Sequence, residues 1–329
     1  MKKLIFKSSL YLFLLLITLE VLVRVFYLGK DNPTRLLDEH KVEKWKPNQH
    51  GYSVTGNRKQ NFSEFNINSS GFNSYREFNP KHGKIEVALV GDSFIEGFHQ
   101  HYYNSIGKKI EKFIPEIEIY EYGYAGYDFA DQLHLIHSYQ KDFDLIDHVI
   151  LGIKFSNDLE RDTYEVVTSR LALESPLNKT LKKSKLLVYC SSIGVLDPPQ
   201  IFIRKAINLF RPKQKKELVN NHITPKDKEE LERKYLANFE HLVTKYGYDK
   251  KRFTLLLDTR ITPTLFLSYL KENEYSYIDF SSSFTSSDQP TTLIYDRHWN
   301  NHGRELIANV ISEHIQKKRL ISQQFICDF

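Results

Sequence analysis

A serine, a histidine and a nearby carboxylate are the residues of this chain whose types could perform nucleophilic chemistry. Ser93 stands in the tetrapeptide Gly91-Asp92-Ser93-Phe94, directly after the apolar run of residues 87–90. His298 follows Asp296 by two positions near the carboxyl terminus. A serine hydroxyl becomes a nucleophile when an imidazole removes its proton and a carboxylate orients that imidazole. The sequence therefore predicts Ser93 as a nucleophile, His298 as its base and Asp296 as the third catalytic residue.

Two further loops carry groups that could stabilise the oxyanion formed when an ester is attacked. Gly126 belongs to a glycine-containing turn at residues 123–127, and the missing side chain lets a backbone amide point into a cleft. Asn157 follows the next apolar segment and offers a side-chain amide. We expect an oxyanion hole formed by the backbone amides of Ser93 and Gly126 and by the side chain of Asn157.

The elements that must position these residues alternate between strands and helices. Periodicity predicts strands at residues 86–90, 118–122, 148–153, 252–258 and 275–280, and helices at 103–113, at 130–139 and from Gly303 onward. Such alternation is typical of βαβ units in a parallel sheet that is covered on both faces. The carboxyl ends of the strands carry the active site in such sheets. Asp296 and His298 are expected to project to the same side of an extended segment.

The first thirty residues differ in kind from the rest. Residues 4–28 are almost continuously apolar and long enough to cross a bilayer. Glu20 and Arg24 interrupt this stretch four positions apart, so we expect them to pair on one helix face. No small-x-small cleavage site follows, which favours an uncleaved anchor over a cleaved signal peptide. Lys2, Lys3 and Lys7 precede the span and predict that residues beyond it lie outside the cytoplasm, as a single-pass protein with an extracytoplasmic domain.

The rest of the chain is long enough for one domain with an insertion. Among 329 residues, 41% are hydrophobic, and the formal net charge of +5 is too mild to indicate a nucleic-acid partner. Beyond an anchor at 1–30, we expect a connector with a few packed turns at 31–84, the main domain at 85–318 and a tail at 319–329. A helical insertion at about 159–250 is predicted to form a cap or rim over the site. The oligomeric state is not indicated by the sequence.

The insertion contains basic stretches at residues 182–185 and 211–216 and a charged helix from about 226 to 245. These charges indicate either attraction of acidic glycans or anionic lipid head groups, or a solvated helical face, and the second interpretation is favoured.

Neither a metal ion nor another cofactor is predicted. Cys190 and Cys327 are compatible with a disulfide or with two unpaired thiols, and the sequence has no cysteine spacing typical of zinc sites. The pairs His99 with His101, and His134 with His137, have spacings that could bind a metal. Since the sequence shows no third ligand, surface or packing roles are favoured for them.

Four short blocks of the chain together resemble the SGNH superfamily, also called the GDSL-like hydrolases. The blocks are Gly91-Asp92-Ser93, the turn at Gly126, Asn157-Asp158 and Asp296-x-His298, and they occur in the family's order. The resemblance covers residues 85–160 and 290–316. It implies a three-layer, flavodoxin-like α/β fold around a central parallel sheet of five strands.

The resemblance also implies a function. The chain would be a serine esterase that removes acyl groups, with acetyl as the expected group, from a carbohydrate or a small ester through an acyl-serine intermediate. The first alternative is an O-acyltransferase acting on a cell-envelope polysaccharide. The second is a catalytically silent scaffold in envelope assembly.

Two positions depart from the usual family pattern. The last block usually places aspartate and histidine three positions apart, whereas Asp296 and His298 are two apart, as in members that read Asp-x-His-Trp-Asn and include proteins acting on bacterial surface polysaccharides. Because the family can also work with serine and histidine alone, the need for Asp296 stays open. Glu121 stands where asparagine often begins the block before the glycine turn, and it is interpreted as an ordinary strand-end residue.

Overall fold

The computed structural model describes residues 1–56, 59–81, 83–197 and 225–327, and within these ranges it does not describe the side chains of residues 225 and 319–327. The predicted basic stretch at 211–216 and the side chain of Cys327 therefore lie outside the described part of the chain. Cys190 is a free cysteine.

Helices and strands alternate through most of the described chain. The strands are β1 (Arg35–Leu37), β2 (Glu43–Trp45), β3 (Gln49–Thr55), β4 (Asn61–Ile67), β5 (Ile85–Gly91), β6 (Ile117–Gly123), β7 (His148–Gly152), β8 (Phe253–Leu257) and β9 (Tyr277–Asp279). The α-helices are α1 (Lys2–Val25), α2 (Ser93–Glu96), α3 (Ile106–Phe113), α4 (Phe129–Ser138), α5 (Gln140–Phe143), α6 (Phe155–Asp158), α7 (Thr168–Leu171), α8 (Pro176–Leu181), α9 (Lys185–Ser192), α10 (Pro225–Tyr246), α11 (Thr264–Glu272), α12 (Ser281–Thr285) and α13 (Asn301–Cys327). Two short 3₁₀ turns occupy Tyr102–Asn104 and Ala172–Glu174.

A five-stranded sheet in the order β6-β5-β7-β8-β9 forms the centre of the domain, and all neighbouring strands are parallel. Numbered along the chain, this order is 2-1-3-4-5, the flavodoxin-like order of doubly wound sheets. In this order the connection that leaves β5 runs to one side of the sheet and the connection that leaves β7 runs to the other, which opens a crevice between the carboxyl ends of β5 and β7. The predicted fold class is confirmed.

Alternate side chains of the sheet enter two separate cores, which is why the strands are apolar throughout. On one face, Val90 and Leu151 pack with α4, α10 and α11 through residues such as Phe129, Phe239 and Phe266. On the other face, Leu89 packs with α3 and α13 in a second cluster that includes Ile106, Ile110, Ile307 and Ile311. The result is three layers, with helices covering both faces of a parallel sheet.

Residues 31–84 are more than a connector with turns, which corrects the expectation from sequence. Strand β1 pairs with β2, and β3 pairs with β4, each antiparallel. Trp45, Phe65, Ile67 and Phe72 from this segment are buried in the same core as the sheet. The polar composition concealed these few large apolar side chains, because β2 has only three residues and the buried residues of β4 alternate with residues such as Glu64 and Asn66 that are at least partly exposed.

Three other features bear on the expectations from sequence. Helix α1 is long and apolar enough to cross a membrane, the only such helix among the described residues, and Glu20 pairs with Arg24 on its surface as predicted. The predicted charged helix is present as α10, whereas α13 continues to Cys327 through most of the expected tail. Glu121 is a buried residue of β6 that accepts a hydrogen bond from the Gly107 amide at 3.0 Å, so its interpretation as an ordinary strand-end residue is wrong.

Candidate active site

The turn from β5 into α2 presents Ser93 at the carboxyl end of the sheet. Asp92 caps the helix by accepting a hydrogen bond from the Phe94 amide at 2.9 Å, which makes Ser93 the first helical residue. This turn packs directly on the end of β6 at Gly123. Only glycine fits there, because a Cβ would lie 2.0 Å from the Glu96 nitrogen. Ser93 therefore sits on a short, tightly packed turn and is half-buried.

His298 lies against Ser93, although 205 positions separate them in the chain. The Ser93 Oγ is 2.7 Å from the His298 Nε2. The opposite ring nitrogen, Nδ1, is hydrogen-bonded to the Asp296 Oδ1. This arrangement gives the imidazole a lone pair directed at the serine hydroxyl when Nδ1 carries the proton, which is the geometry of a general base held by a carboxylate.

The segment that carries Asp296 and His298 is a turn and not the extended stretch expected from sequence. The Arg297 amide donates to the Leu293 carbonyl at 3.3 Å, and the Leu293 amide donates to the His298 carbonyl at 2.8 Å. Arg297 adopts a left-handed backbone with φ of 60°. The turn folds the carboxylate back under the imidazole, so a spacing of two positions still permits their contact.

Aromatic neighbours fix the plane of the His298 ring. The Phe94 ring centroid lies 4.6 Å from it on a tilted plane, and the His99 ring stacks on it at 4.0 Å with an interplanar angle of 19°. Trp299 extends the cluster by packing on Phe94 at 4.8 Å. These contacts restrict rotation of the imidazole away from Ser93.

His99 is the site residue that sequence reasoning missed. Its Nε2 lies 2.8 Å from the second carboxylate oxygen of Asp296, Oδ2, so two imidazoles share one carboxylate. Burial, followed by repulsion from His298, lowers the pKa of His99 to about 4. His99 is therefore neutral near pH 7 and donates its Nε2 proton to Asp296.

The electrostatics of Asp296 follow from these two partners. Burial by itself raises its pKa, but the hydrogen bonds from His298 and His99 and the positive potential of both rings outweigh burial and lower the pKa below its usual value. Asp296 is thus held as a carboxylate, the form that can orient an imidazole and stabilise its cation.

The two histidine pairs that were identified by their spacing differ in their surroundings. His99 does not lie with His101 but with Asp296 and His298, where one ligand atom of each residue lies within 4.8 Å of the others. Direct hydrogen bonds to Asp296 already account for this cluster. His134 has a packing role as expected, since it stacks on Tyr164 at 3.8 Å. Only a search for a carboxylate shared by two histidines could have identified His99, and that depends on the fold.

The three predicted oxyanion donors follow β5, β6 and β7, which are neighbours in the sheet. Gly126 is exposed and has φ of 94°, a left-handed value that suits glycine, in a turn closed by the Tyr127 amide and the Tyr124 carbonyl at 3.0 Å. Asn157 is exposed in the one-turn helix α6 after β7. All three groups therefore follow neighbouring strands at the carboxyl edge of the sheet, and their role as oxyanion donors stays a prediction.

A buried carboxylate supports the turn that holds Gly126. The Glu96 Oε1 accepts hydrogen bonds from the Ala125 amide at 3.1 Å and from the Trp45 indole nitrogen at 2.7 Å. Burial raises the pKa of Glu96 to about 7. The guanidinium Nη1 of Arg170 in α7 would be 3.0 Å from a Cβ at position 126. The turn is thus bonded to β2 and α2, and one arginine of the insertion lies next to it.

Two further carboxyl groups, those of Asp92 and Asp158, line the cleft described below. Burial, together with repulsion from Asp92, raises the pKa of Asp158 to about 8, and the Lys154 amide donates to its Oδ2 at 2.6 Å. Burial likewise raises the pKa of Asp92. A neutral Asp158 at pH 7 limits the negative charge that would otherwise oppose formation of an oxyanion next to Ser93.

An open cleft of about 230 Å³ lies beside Ser93 and His298, since their neighbours Phe94 and Trp299 line its walls. Ile153, Phe280 and Phe284 provide further apolar surface. The cleft also exposes Arg297 at its rim. A pocket with apolar walls at this place can receive the acyl part of an ester bound to Ser93.

No protein-family model and no curated protein sequence matches this chain. Among solved structures, a member of the lipolytic protein G-D-S-L family from Veillonella parvula is 14% identical, with 69% of this chain and 96% of that chain covered and a TM-score of 0.37. A lipase/acylhydrolase from Enterococcus faecalis is 12% identical, with coverage of 71% and 96% and a TM-score of 0.37. A catalytic mutant of an acetylxylan esterase from Geobacillus stearothermophilus is 13% identical, with coverage of 71% and 94% and a TM-score of 0.35.

Proposed function

We propose that the protein is a membrane-anchored serine esterase of the SGNH type, with its catalytic domain outside the cytoplasm. The contact that supports this most directly is Ser93 Oγ to His298 Nε2 at 2.7 Å, with Asp296 bonded to the other ring nitrogen. A serine, an imidazole and a carboxylate in this order form a hydrogen-bonded triad, in which the imidazole can remove the serine proton for attack on an ester carbonyl.

The chemistry follows from these positions. His298 removes the proton of Ser93 as the Oγ attacks the carbonyl carbon, and Asp296 stabilises the imidazolium that results. The amides of Ser93, Gly126 and Asn157 hold the negative oxygen of the tetrahedral intermediate. As the intermediate collapses, His298 returns the proton to the leaving alcohol and an acyl-serine remains. Water, activated by the same imidazole, then releases the acid.

The substrate class we propose is an acylated carbohydrate or a small ester, with acetyl as the acyl group. Transfer of the acyl group to a sugar hydroxyl of a cell-envelope polysaccharide uses the same acyl-serine and differs only in the acceptor. The two reactions are separated by incubating the full chain with an acetylated polysaccharide, with and without an acceptor sugar, and measuring Ser93 acetylation and the acetylated products by mass spectrometry.

A direct test uses the full chain in detergent. Wild-type protein is expected to hydrolyse p-nitrophenyl acetate and to react with a fluorophosphonate probe, whereas Ser93→Ala should lose both. Ser282→Ala, which removes an exposed hydroxyl of α12, serves as the control and should retain both. Ester hydrolysis that survives Ser93→Ala would remove the nucleophile assignment, and labelling without hydrolysis would favour the transferase.

A further inference from the structure

Part of the insertion is fixed to the apolar helix α1. The Glu20 carboxylate accepts hydrogen bonds from the Ser184 hydroxyl at 3.0 Å and from the backbone amides of Lys185 and Leu186 at 3.0 and 2.8 Å. Arg24 donates to the Lys183 carbonyl at 2.7 Å. The amino-terminal end of α9 is therefore capped by a side chain of α1, which fixes its position along that helix.

The position of Glu20 along α1 indicates where the contact with α9 lies relative to the bilayer boundary. Glu20 lies about 8 Å along the helix axis before Val25, at 1.5 Å per residue, and the apolar sequence continues to Leu28. An ionised carboxylate at such a level is costly in lipid unless it is paired. Because Arg24 and the start of α9 supply its partners, α9 begins at the level of the bilayer boundary when α1 spans the membrane.

The residues around this contact expose an apolar surface. We call residues 168–192 the interfacial segment. Its exposed leucines are Leu173, Leu177, Leu181 and Leu187, with Leu177 the most open at 69%. Leu177 and Leu181 are four positions apart on α8 and share one side of it. A single exposed leucine is ordinary, but four in one short segment beside an anchor form a patch suited to the lipid boundary.

Lysines of the same segment line a cleft next to α1. The cleft has a volume of about 420 Å³, and Lys179, Lys182, Lys183 and Lys185 contribute to its walls together with Asp31 and Glu174. Lys185 pairs with Asp31, and Lys182 pairs with Glu174 at 3.4 Å. Four cations against these two carboxylates leave a positive excess, which complements the anionic head groups of a bilayer.

The hairpin of β3 and β4 joins this region to the catalytic edge. Tyr27, just after α1, packs its ring on Tyr52 of β3 at 4.9 Å. At the turn end of the hairpin, Asn61 donates to the His99 carbonyl at 2.7 Å, and Gln60 donates to the Tyr295 hydroxyl at 2.8 Å. The anchor, the hairpin and the loop of Asp296 are thus connected by direct contacts, which holds the active site on the side of the domain that the anchor enters.

From these contacts we infer that the interfacial segment is a bilayer-contacting surface, in which the exposed leucines enter the lipid boundary and the lysine-lined cleft binds anionic phospholipid head groups. The surface holds the catalytic edge close to the membrane. This inference rests on the proposed membrane anchor, but it does not depend on the ester chemistry of Ser93.

The test uses the full chain in lipid nanodiscs. In a background of Cys190→Ser and Cys327→Ser, bimane is attached at Leu177→Cys, or at Lys251→Cys as the control before β8, and quenching by doxyl-labelled phosphatidylcholine is measured. We expect quenching at position 177 to exceed that at 251 by about twofold or more, because the label sits in the boundary. Leu181→Cys repeats the measurement should the first label disturb folding.

A second comparison examines the lysines. Adding phosphatidylglycerol to the nanodiscs is expected to increase quenching at 177 in the parent chain. The increase should disappear in the triple variant Lys179→Gln, Lys182→Gln and Lys183→Gln, and should persist in the charge-matched control Lys226→Gln, Lys228→Gln and Lys234→Gln on α10.

Equal quenching at 177 and 251 in every lipid mixture would overturn the inference. So would shielding of the 177 label from iodide in detergent without quenching by doxyl lipid, because protein would then cover the leucines. Ester hydrolysis is measured in the same nanodiscs. If hydrolysis is absent while quenching at position 177 is retained, only the proposed function is contradicted. If hydrolysis is retained while quenching at position 177 equals that at 251, only the membrane surface is contradicted.

Discussion

The Nε2 of His99 lies 2.8 Å from the Oδ2 of Asp296, on the carboxylate whose other oxygen is bonded to His298. Asp296 is therefore fixed at both oxygens and cannot rotate away from His298 without breaking a hydrogen bond with His99. The stacked rings of the two histidines, 4.0 Å apart, add a packing contact to the same unit. This relationship gives His99 a positioning role that acts through Asp296 and not through contact with the substrate.

Removing the donor of His99 while keeping a ring tests this positioning role. His99→Phe preserves stacking but leaves Oδ2 without its partner, so we expect kcat/KM for p-nitrophenyl acetate to fall by about tenfold, the scale of a hydrogen bond to a charged group. His99→Gln restores an N–H at similar reach and should recover most of the rate. The acidic limb of the pH–rate profile should move to higher pH in His99→Phe, because a less satisfied carboxylate holds the imidazolium more strongly. Equal losses in both variants, with no change in the profile, would indicate a purely structural residue.

Asp296→Asn tests whether the site works as a triad. An asparagine at this place can present its amide N–H to the Nδ1 of His298 and favour the tautomer that turns a proton toward Ser93. We expect kcat to fall by about 10⁴-fold, the loss seen when a triad carboxylate is replaced in this way. The kcat of the full chain is measured by steady-state kinetics, and circular dichroism checks that the variant is folded. Turnover near that of wild type would instead indicate a dyad of Ser93 and His298.

Asn157→Ala tests the predicted side-chain donor of the oxyanion hole. Since Asn157 is exposed, its truncation should leave the unfolding midpoint unchanged. Loss of one oxyanion donor is expected to reduce kcat by about 100-fold to 1,000-fold with little change in KM, because the contact forms only in the transition state. Gln289→Ala is the control, because it also removes an exposed side-chain amide, and it should keep full activity. A reduction of kcat smaller than tenfold would indicate that groups other than the Asn157 side chain bind the oxyanion.

The pKa of Asp158 predicts a dependence of stability on pH. Its carboxyl titrates at about 8 in the folded chain against an ordinary value of 3.8, so the folded state keeps a proton that the unfolded state has released. The contribution is complete below pH 4 and is lost as the pH rises through 8, with a slope of up to about 1.4 kcal/mol per pH unit for one proton. Asp158→Asn should flatten the free energy of unfolding between pH 5 and 8, whereas Asp288→Asn, an exposed control, should not. Urea titrations across this range decide the matter.

Glu96 offers a separate test of the turn beside the nucleophile. Glu96→Leu leaves the Ala125 amide and the Trp45 indole nitrogen without an acceptor, so the free energy of unfolding should fall by about 1 to 3 kcal/mol for each buried donor. Glu96→Gln keeps an oxygen acceptor in the same place and should retain stability and activity. Comparable destabilisation in both variants would show that the ionised carboxylate, and not its acceptor geometry, supports the turn.

Much of the fold followed from local pattern. The five strands of the sheet, the helices α3 and α4 and the start of α13 coincide with apolar periodicity to within a few residues, because burial on two faces leaves strands apolar throughout and helices with one apolar stripe. Helix α10 coincides with the predicted charged helix. The segment at residues 31–84 did not follow. Strands β1 and β2 have three residues each, β3 and β4 are only partly buried, and their pairing partners are chosen by tertiary contacts such as those of Trp45 and Phe65 with the domain core.

The sequence by itself determined the residues that can react and the edge of the sheet at which they lie. Ser93, Gly126 and Asn157 each follow a strand of a parallel sheet, and carboxyl ends of parallel strands meet at one edge. Only the tertiary structure decided the relative placement of groups far apart in the chain. It set His298 at 2.7 Å from Ser93, placed His99 on the same carboxylate, and joined Glu20 to the start of α9. Spacing within a segment constrains side chains over one or two turns, whereas contacts across 165 to 205 positions depend on how layers pack, which local pattern does not encode.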